Sequence, residues 1–312
     1  MGDFQAAGED VHAGDVAIEE VDQLEGLPAG IPVVAGAGDN AAGAVGAGVV
    51  GDSDVWGSIG ASGVVFVATD GERTDPEGRV HTFCHAVPGK WHAMSVMLAA
   101  SGAFSWFADT LGGPEDVVAD QLGTDSFDVL TDEAAAVQPG SEGLIFLPYL
   151  DGERTPHRDA DARGVFFGLS SRHEKAHVVR SVLEGVTFGL RDSLRIIRED
   201  LDVDTGELKA AGGGAKSPLW KGIQADVFDD EILTTAVDEG AAYRSALLAG
   251  VGSGVYDSVG DACDRAVEVV DSVEPIADHT RVYDEYYDVD KSLYPALEDS
   301  FGANADALER GR

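Results

Sequence analysis

Residues 36–46 read GAGDNAAGAVG, and residues 57–63 read GSIGASG. In the first segment, Asp39 comes shortly after the apolar run 31–35, which predicts a short buried strand that ends near an acid. In the second, a small-residue turn joins two apolar runs, and the missing Cβ atoms let backbone N–H groups approach an anion. A carboxylate that meets a hydroxyl, beside a turn that meets a phosphate, indicates phosphoryl transfer to an alcohol.

Each of these two features also has a simpler structural interpretation. An acid after a strand often serves only as a turn residue or helix N-cap. A GxSG turn is often a plain hairpin. Phosphoryl transfer is therefore indicated only if other parts of the chain carry matching motifs.

Charge is the most unusual property of the composition. The chain of 312 residues has 21 basic and 57 acidic residues, a formal net charge of −36, and only six of the basic residues are lysines. Such a surface repels nucleic acid and anionic membranes, so neither is an expected partner. An acidic, lysine-poor composition is typical of salt-loving organisms, where salt screens the repulsion between protein and ATP.

The two cysteines, Cys84 and Cys263, lie far apart and form no disulfide framework, which favours a reducing cytoplasm. No signal peptide and no apolar run of membrane-spanning length are recognised, so the predicted localisation is cytoplasmic. The segment 81–85 contains two histidines and a cysteine, but no second ligand cluster accompanies them. We therefore expect packing residues there and assign no metal ligand.

A second glycine turn follows the apolar run 208–211, which predicts a short strand. It is the segment 212–215, and Ser217-Pro218 then opens a helix, with Ser217 as N-cap and Pro218 in the first turn. A strand, a glycine turn and a helix start together predict an element that faces an anion or nucleotide.

Apolar periodicity predicts the remaining elements. Strands are expected at 31–35, 54–69 (as a hairpin), 80–86, 91–94, 144–150 and 232–236. Helices are expected at 40–50, 95–111, within 112–140, from a Ser171/Glu174 capping box to about residue 200, and at 240–251, 259–270 and 282–293, with a frayed tail after Leu297. In the loop after the strand 144–150, a salt bridge explains Glu153, Arg154 and His157 more simply than catalysis does.

These motifs resemble the FGGY carbohydrate kinases and, within them, the xylulokinases. The resemblance covers about residues 25–270, and its further motifs are HTFCHAVPGKWHAM (81–94), FLPYLDGERTPH (146–157), ARGVFFGLSS (162–171) and GGGAKSPLW (212–220). It implies an α/β fold of the actin-like, ribonuclease-H-like ATPase type, a mixed sheet flanked by helices. The implied divisions are 1–50, a remnant of the N-terminal domain with the catalytic Asp; 51–270, the C-terminal ATP-binding domain; and 271–312, a C-terminal helix and tail.

The resemblance also implies a reaction and a set of site residues. The reaction is ATP-dependent phosphorylation of a sugar hydroxyl, D-xylulose to D-xylulose 5-phosphate, with Mg²⁺ bridging the phosphates of ATP. Asp39 falls on the family's catalytic Asp, and Asp39 and Asn40 fall on the sugar side. The family's second phosphate turn falls on Gly60, Ala61, Ser62 and Gly63, and its adenosine-side turn on Gly212, Gly213, Gly214 and Ala215.

The sequence departs from the family pattern in three places. Ala61 replaces a threonine, and Arg244 stands where a small residue is usual, either crowding the nucleotide side or facing salt water. Most of the family's N-terminal domain is missing, with its first phosphate turn, a magnesium-side Asp and most sugar contacts. A truncated or split gene product, a subunit completed by a companion chain, and a decayed remnant are all open explanations.

Two other functions therefore stay open beside the xylulokinase interpretation. One is a non-catalytic nucleotide-binding fragment, or one half of a split kinase. The other is an FGGY kinase for another ketose or polyol. The expected partners are a ketose substrate and a companion chain that supplies the N-terminal domain, and a homodimer is left open.

Overall fold

A seven-stranded mixed sheet organises the residues that the structure, a computed structural model, describes: 34–236 and 241–311. The strands are β1 (Val55–Ile59), β2 (Gly63–Thr69), β3 (His81–Cys84), β4 (Trp91–Met97), β5 (Ile145–Leu147), β6 (Val165–Phe167), β7 (Leu208–Gly212), β8 (Ile232–Thr235) and β9 (Val269–Val273). The α-helices are α1 (Asp39–Gly46), α2 (Ser101–Leu111), α3 (Gly113–Leu122), α4 (Ser126–Ala135), α5 (Lys175–Arg195), α6 (Pro218–Phe228), α7 (Ala241–Gly252), α8 (Val259–Ala266) and α9 (Ala277–Gly311).

The strand order of the large sheet is β3-β4-β2-β1-β7-β8-β9, and β5 and β6 form a separate two-stranded sheet. β1 and β2 are the predicted hairpin, which is confirmed, and β4 and β3 extend it by antiparallel pairing. On its other side β1 pairs in parallel with β7, and β7 with β8. The carboxyl ends of β1 and β7 therefore meet at the same edge of the sheet.

The interior strand β2 is buried on both faces, as a near-continuous apolar run requires. Val65 and Val67 belong to a core that also contains side chains of α2, α4, α5, α6 and α9. Phe66 and Ala68 belong to a second core on the opposite face, where α1 packs against Trp56. The sheet is therefore flanked by helices on both faces, which confirms the predicted fold class.

Helix α5 crosses the middle of the first face and carries the predicted apolar stripe. Its residues 179–190 are all buried, and a π-turn over Ile196–Asp200 continues it to the predicted end. Its start was predicted wrongly. The N-cap is Glu174 rather than Ser171, which lies outside the helix. Glu174 and His177 form the capping box, in which the N–H of Glu174 donates to Nδ1 of His177 at 3.1 Å.

The predicted helix 95–111 is also wrong in its first turns. Residues 95–97 belong to β4, where Ser95 pairs with Val65 and Met97 with Gly63. Pairing along all seven residues of β2 overrides the helical spacing, and α2 begins only at Ser101.

Two predictions near the C-terminus are also wrong. The helix expected over 259–270 ends at Ala266, and Val269–Val273 forms the edge strand β9, antiparallel to β8. The tail expected to fray after Leu297 continues as α9 to Gly311, where buried Phe301 packs in one cluster with Tyr294. Of the predicted strand 31–35, residues 31–33 lie outside the described part of the chain, and residues 34–35 are not in a strand.

A buried polar network fixes α9 to α5. Arg180 Nε donates to Glu184 Oε1 at 2.7 Å, and Arg180 Nη2 donates to the hydroxyl of Tyr283 at 2.8 Å. The Tyr283 hydroxyl in turn donates to Glu184 Oε1 at 2.9 Å, while Ser141 donates to Glu184 Oε2 at 2.7 Å. Because all four side chains are buried, each loses water and depends on the others for its hydrogen bonds.

Tyr283→Phe should therefore lower the free energy of unfolding by about 1–3 kcal/mol, because it removes a hydroxyl that serves two buried charged groups. Denaturant unfolding of the two proteins at one salt concentration measures the difference. Tyr286→Phe is the matched control on the same helix, since the Tyr286 hydroxyl makes no hydrogen bond to the described residues. An equal effect of both substitutions would contradict the role of the network.

Candidate active site

The two glycine turns predicted from the sequence lie side by side. Ile59, the last residue of β1, is the parallel partner of Gly212, the last residue of β7. The turn 60–63 leaves β1 at this point, and the 3₁₀ turn Gly213–Ala215 leaves β7. Two stretches of backbone about 150 residues apart therefore meet at one edge of the sheet.

Gly212 allows this contact because it has no side chain. Its φ of 77° and ψ of −166° belong to a region that only glycine enters readily. A Cβ at this position would stand 2.6 Å from the carbonyl oxygen of Ile59 and 3.2 Å from the amide nitrogen of Gly60. Both the conformation and the space therefore require glycine.

The turn 60–63 is anchored by the N-terminus of α2. The amides of Ala100 and Gly102 donate to the carbonyl oxygen of Ala61 at 2.9 and 3.1 Å, and the amide of Ser101 donates to that of Gly60 at 2.8 Å. The carbonyls of the turn are thus held towards the helix. Ala61 and Ser62 are exposed, and their N–H groups donate to no other described residue. These donors are available to a ligand.

A cavity of about 420 Å³ opens next to the second glycine turn. Phe104, Phe127 and Trp220 form an aromatic cluster at its wall, with ring centroids 5.1 Å apart for Phe104 and Phe127 and 6.0 Å apart for Phe104 and Trp220. Gly213 and Lys216 also line it. This cavity was not predicted from the sequence. Trp220, the last residue of GGGAKSPLW, was the one available signal.

Asp39 begins α1, and its carboxylate is exposed. The Asn40 side chain and backbone N–H both donate to Asp39 Oδ1, at 3.4 and 2.9 Å. Among the described residues, no hydrogen bond or ion pair joins Asp39 to either glycine turn. The structure therefore brings the two turns together and leaves Asp39 on α1, with Oδ1 engaged by Asn40 and the side chain exposed.

Arg244 of α7 holds the first turn of α1. Its Nη1 donates to the carbonyl oxygen of Asp39 at 3.3 Å. The side chain also covers Gly43 and Gly46, where a Cβ would come within 3.0 Å of its atoms. Neither sequence-based alternative for Arg244 describes this contact, in which arginine fills the space that the glycines of α1 leave.

Glu153 is buried and holds backbone rather than a cation. Its side chain is 3% exposed, and Oε1 accepts from the amides of Leu98 at 3.1 Å and Arg154 at 2.6 Å. Burial raises the pKa of Glu153 to about 7, although these amide hydrogen bonds act in the opposite direction. The predicted salt bridge is wrong: Arg154 is exposed, no ion pair to Glu153 occurs in the described residues, and His157 stacks on Tyr294 with ring centroids 3.5 Å apart.

The sequence predicted packing residues over 81–85, and this holds for His85 alone within that segment, since Phe83 is half exposed and Cys84 is exposed. His85 is buried beside Phe66, its Nδ1 accepts from the amide of Val87 at 3.0 Å, and its Nε2 lies 3.1 Å from the carbonyl oxygen of Val49. Both ring nitrogens are therefore occupied in the neutral form, and burial lowers the pKa of His85 to about 4. Within the described residues, no group of three or more histidine, cysteine or acidic side chains is placed to hold a metal ion, and no helix is long and apolar enough to cross a membrane.

Comparison with known proteins agrees with this fold. The model of the FGGY family of carbohydrate kinases, C-terminal domain, matches residues 56–253. A xylulose kinase of Staphylococcus epidermidis is 37% identical over 283 residues, which are 91% of this chain and 55% of that protein. A gluconokinase of Bacillus subtilis is 32% identical over 287 residues, 92% of this chain and 55% of that protein.

A solved xylulose kinase structure from Rhodospirillum rubrum superposes with a TM-score of 0.79 at 32% identity, covering 89% of this chain and 54% of that one. The fold is thus the actin-like ATPase fold of sugar kinases. The chain belongs to the FGGY family of carbohydrate kinases. It spans about half the length of the relatives it matches.

Gly212→Ala tests the contact between the two turns. The new Cβ would push against the Ile59 carbonyl, so we expect a loss of about 2–4 kcal/mol in the free energy of unfolding, measured by denaturant titration. Gly222→Ala is the control: Gly222 lies in α6, a Cβ there would have no atom within 4 Å, and alanine should stabilise the helix by about 0.5–1 kcal/mol. Equal stability of the Gly212→Ala protein and the unsubstituted protein would contradict the contact.

Proposed function

We propose that this chain binds ATP at the paired glycine turns. The observation that carries the proposal is their contact at Ile59 and Gly212, beside an aromatic-walled cavity. The exposed amides of Ala61 and Ser62 are suited to the phosphates, and the cavity is suited to the nucleoside. In this arrangement Gly60, Ala61, Ser62 and Gly63 serve the phosphate side, and Gly212, Gly213, Gly214 and Ala215 the adenosine side.

Mg²⁺ would accompany the nucleotide. Among the described residues no group of three or more acidic, histidine or cysteine side chains is placed to hold a metal ion, so we name no protein ligand for it. When bound, the ion neutralises phosphate charge. Lys216, at the cavity, adds a cation on the protein side.

The proposed reaction is transfer of the γ-phosphoryl group to a sugar hydroxyl, with D-xylulose as the acceptor and D-xylulose 5-phosphate as the product. Asp39 accepts the proton of the attacking hydroxyl, a role for which its exposed oxygens are suited, and Asn40 is placed beside it. The names of several relatives favour this sugar, since they are xylulose kinases at 31–41% identity.

A second candidate is phosphorylation of a different sugar or polyol. The gluconokinase relative favours it, because it matches a similar share of this chain as the xylulose kinases do. Among the described residues, we assign only Asp39 and Asn40 to the side that binds the acceptor sugar. We therefore propose that residues 1–50 keep the proton acceptor, that 51–270 bind ATP, that 271–312, chiefly α9, close the domain, and that a companion chain supplies the remaining sugar contacts.

The setting that we propose is a salt-rich cytoplasm. The net charge of −36 with only six lysines supports it, because screening by salt weakens the repulsion of ATP. The homodimer left open by the sequence stays a prediction.

Asp39→Asn tests the mechanism. The amide cannot accept the hydroxyl proton, so the release of ADP in the presence of Mg²⁺, ATP and D-xylulose at molar salt should fall by about 10²-fold or more. ATP affinity, measured by calorimetry, should change by less than about twofold because Asp39 lies outside both turns. Asp116→Asn, an exposed acid in the first turn of α3, is the control and should leave both unchanged.

Unchanged turnover in the Asp39→Asn protein would remove Asp39 from the reaction. ATP binding without ADP release by the unsubstituted chain alone would support a nucleotide-binding fragment or one half of a split kinase. Faster ADP release with gluconate or another polyol than with D-xylulose would favour the second candidate.

A further inference from the structure

We propose that Glu153 is a positioning residue for the phosphate-binding turn 60–63: its carboxylate fixes the junction between β4 and α2, and that junction holds the turn. The inference rests on the proposed nucleotide binding at the turn. Glu153 has no hydrogen bond to either turn among the described residues and would act only through the backbone of the junction.

Glu153 contacts the backbone at the end of β4. Leu98 is the first residue after the strand, and its amide donates to Glu153 Oε1 at 3.1 Å. The same oxygen accepts from the amide of Arg154 at 2.6 Å, which fixes the carboxylate to its own loop. The carboxylate therefore ties two separate pieces of backbone together.

The adjacent loop pairs with β4. β3 pairs with β4 only as far as Met94. Beyond Met94, Thr155 forms hydrogen bonds to the backbone of β4. The Thr155 amide donates to the Val96 carbonyl at 3.0 Å, and the Val96 amide donates to Thr155 Oγ1 at 3.2 Å. The loop thus binds the last residues of β4 on the edge that β3 leaves open.

The junction between β4 and α2 is bonded directly to the turn 60–63. Only Ala99 and Ala100 separate Leu98 from Ser101, the first residue of α2. The amides of Ala100 and Ser101 donate to the carbonyls of Ala61 and Gly60 at 2.9 and 2.8 Å. A shift at Leu98 would move these donors and, with them, the direction of the turn's exposed N–H groups.

The surroundings of Glu153 make its charge adjustable near neutral pH. Burial raises its pKa to about 7, and Oε2 is buried without a hydrogen-bond partner among the described residues. Glu153 is near Tyr149, whose pKa is raised mainly by burial, so that Tyr149 stays neutral and adds no charge. Arg154, the adjacent cation, is exposed and forms no ion pair with Glu153 among the described residues. As pH falls through 7, the carboxylate becomes neutral and accepts the Leu98 hydrogen bond more weakly.

Glu153→Ala tests the inference through the ratio of two affinities. Because the turn faces phosphate, the substitution should weaken MgATP binding by about tenfold and adenosine binding by less than about twofold, both measured by calorimetry at molar salt. Asp226→Ala is the matched control. Asp226 is 5% exposed and accepts the Ile276 amide at 2.7 Å, but between α6 and α9, so its loss should lower the melting temperature and leave the ratio unchanged.

Glu153→Gln supplies a second test that survives if the alanine protein does not fold. Glutamine keeps an acceptor for Leu98 but cannot ionise, so at pH 8 its ATP affinity should lie between those of the unsubstituted chain and of Glu153→Ala. Between pH 8 and pH 6 the ratio of ATP to adenosine affinity should fall in both proteins, because the phosphates of ATP titrate in this range. The fall should be larger in the unsubstituted chain, where Glu153 titrates as well, than in Glu153→Gln.

Equal weakening of ATP and adenosine by Glu153→Ala, or identical pH profiles for Glu153→Gln and the unsubstituted chain, would overturn the positioning role while leaving nucleotide binding intact. An unsubstituted chain that binds adenosine and MgATP with the same affinity, or neither, would contradict the proposed function itself.

Discussion

The parallel pairing of β1 with β7 is the contact on which the candidate site depends. It places Ile59 beside Gly212, so that two turns distant in sequence leave the sheet at one edge. The contact is made by backbone alone, since a methyl group at Gly212 would collide with the Ile59 carbonyl. The two turns share an edge because β1 and β7 are parallel, so their carboxyl ends lie at the same end of the sheet. If β7 were antiparallel to β1, the second turn would leave the sheet at the opposite end.

The sequence was most informative where the signal is local. The hairpin around 60–63, the strand and triple glycine before Ser217, and the apolar stripe of α5 were all predicted, because each is defined by neighbouring residues. The N-cap role of Ser217 is one example: its hydroxyl accepts from the Trp220 amide at 3.3 Å, three residues along the chain. The motif resemblance then supplied the family, which the comparisons confirm.

Contacts between distant residues were outside the reach of local patterns. Residues 95–97 were assigned to a helix from their spacing, but they form a strand because they pair with β2. The local sequence of 269–273 gives no sign that this segment pairs with β8 at the edge of the sheet. Glu153 and Arg154 are adjacent opposite charges, which suggested a salt bridge. The buried carboxylate instead serves the amide of Leu98, 55 residues away. The aromatic cavity likewise combines residues from three helices.

The capture of the Gly60 and Ala61 carbonyls by α2 has an electrostatic consequence. The first amides of a helix carry its positive partial charge and often receive an anion directly. Here they are already neutralised by protein oxygens, so the turn offers dipoles rather than a helix end. In a chain with a net charge of −36, most of the compensation for a polyanion bound there would come from mobile cations, beside the one cation of Lys216, which makes the ionic composition of the solvent a working part of the molecule.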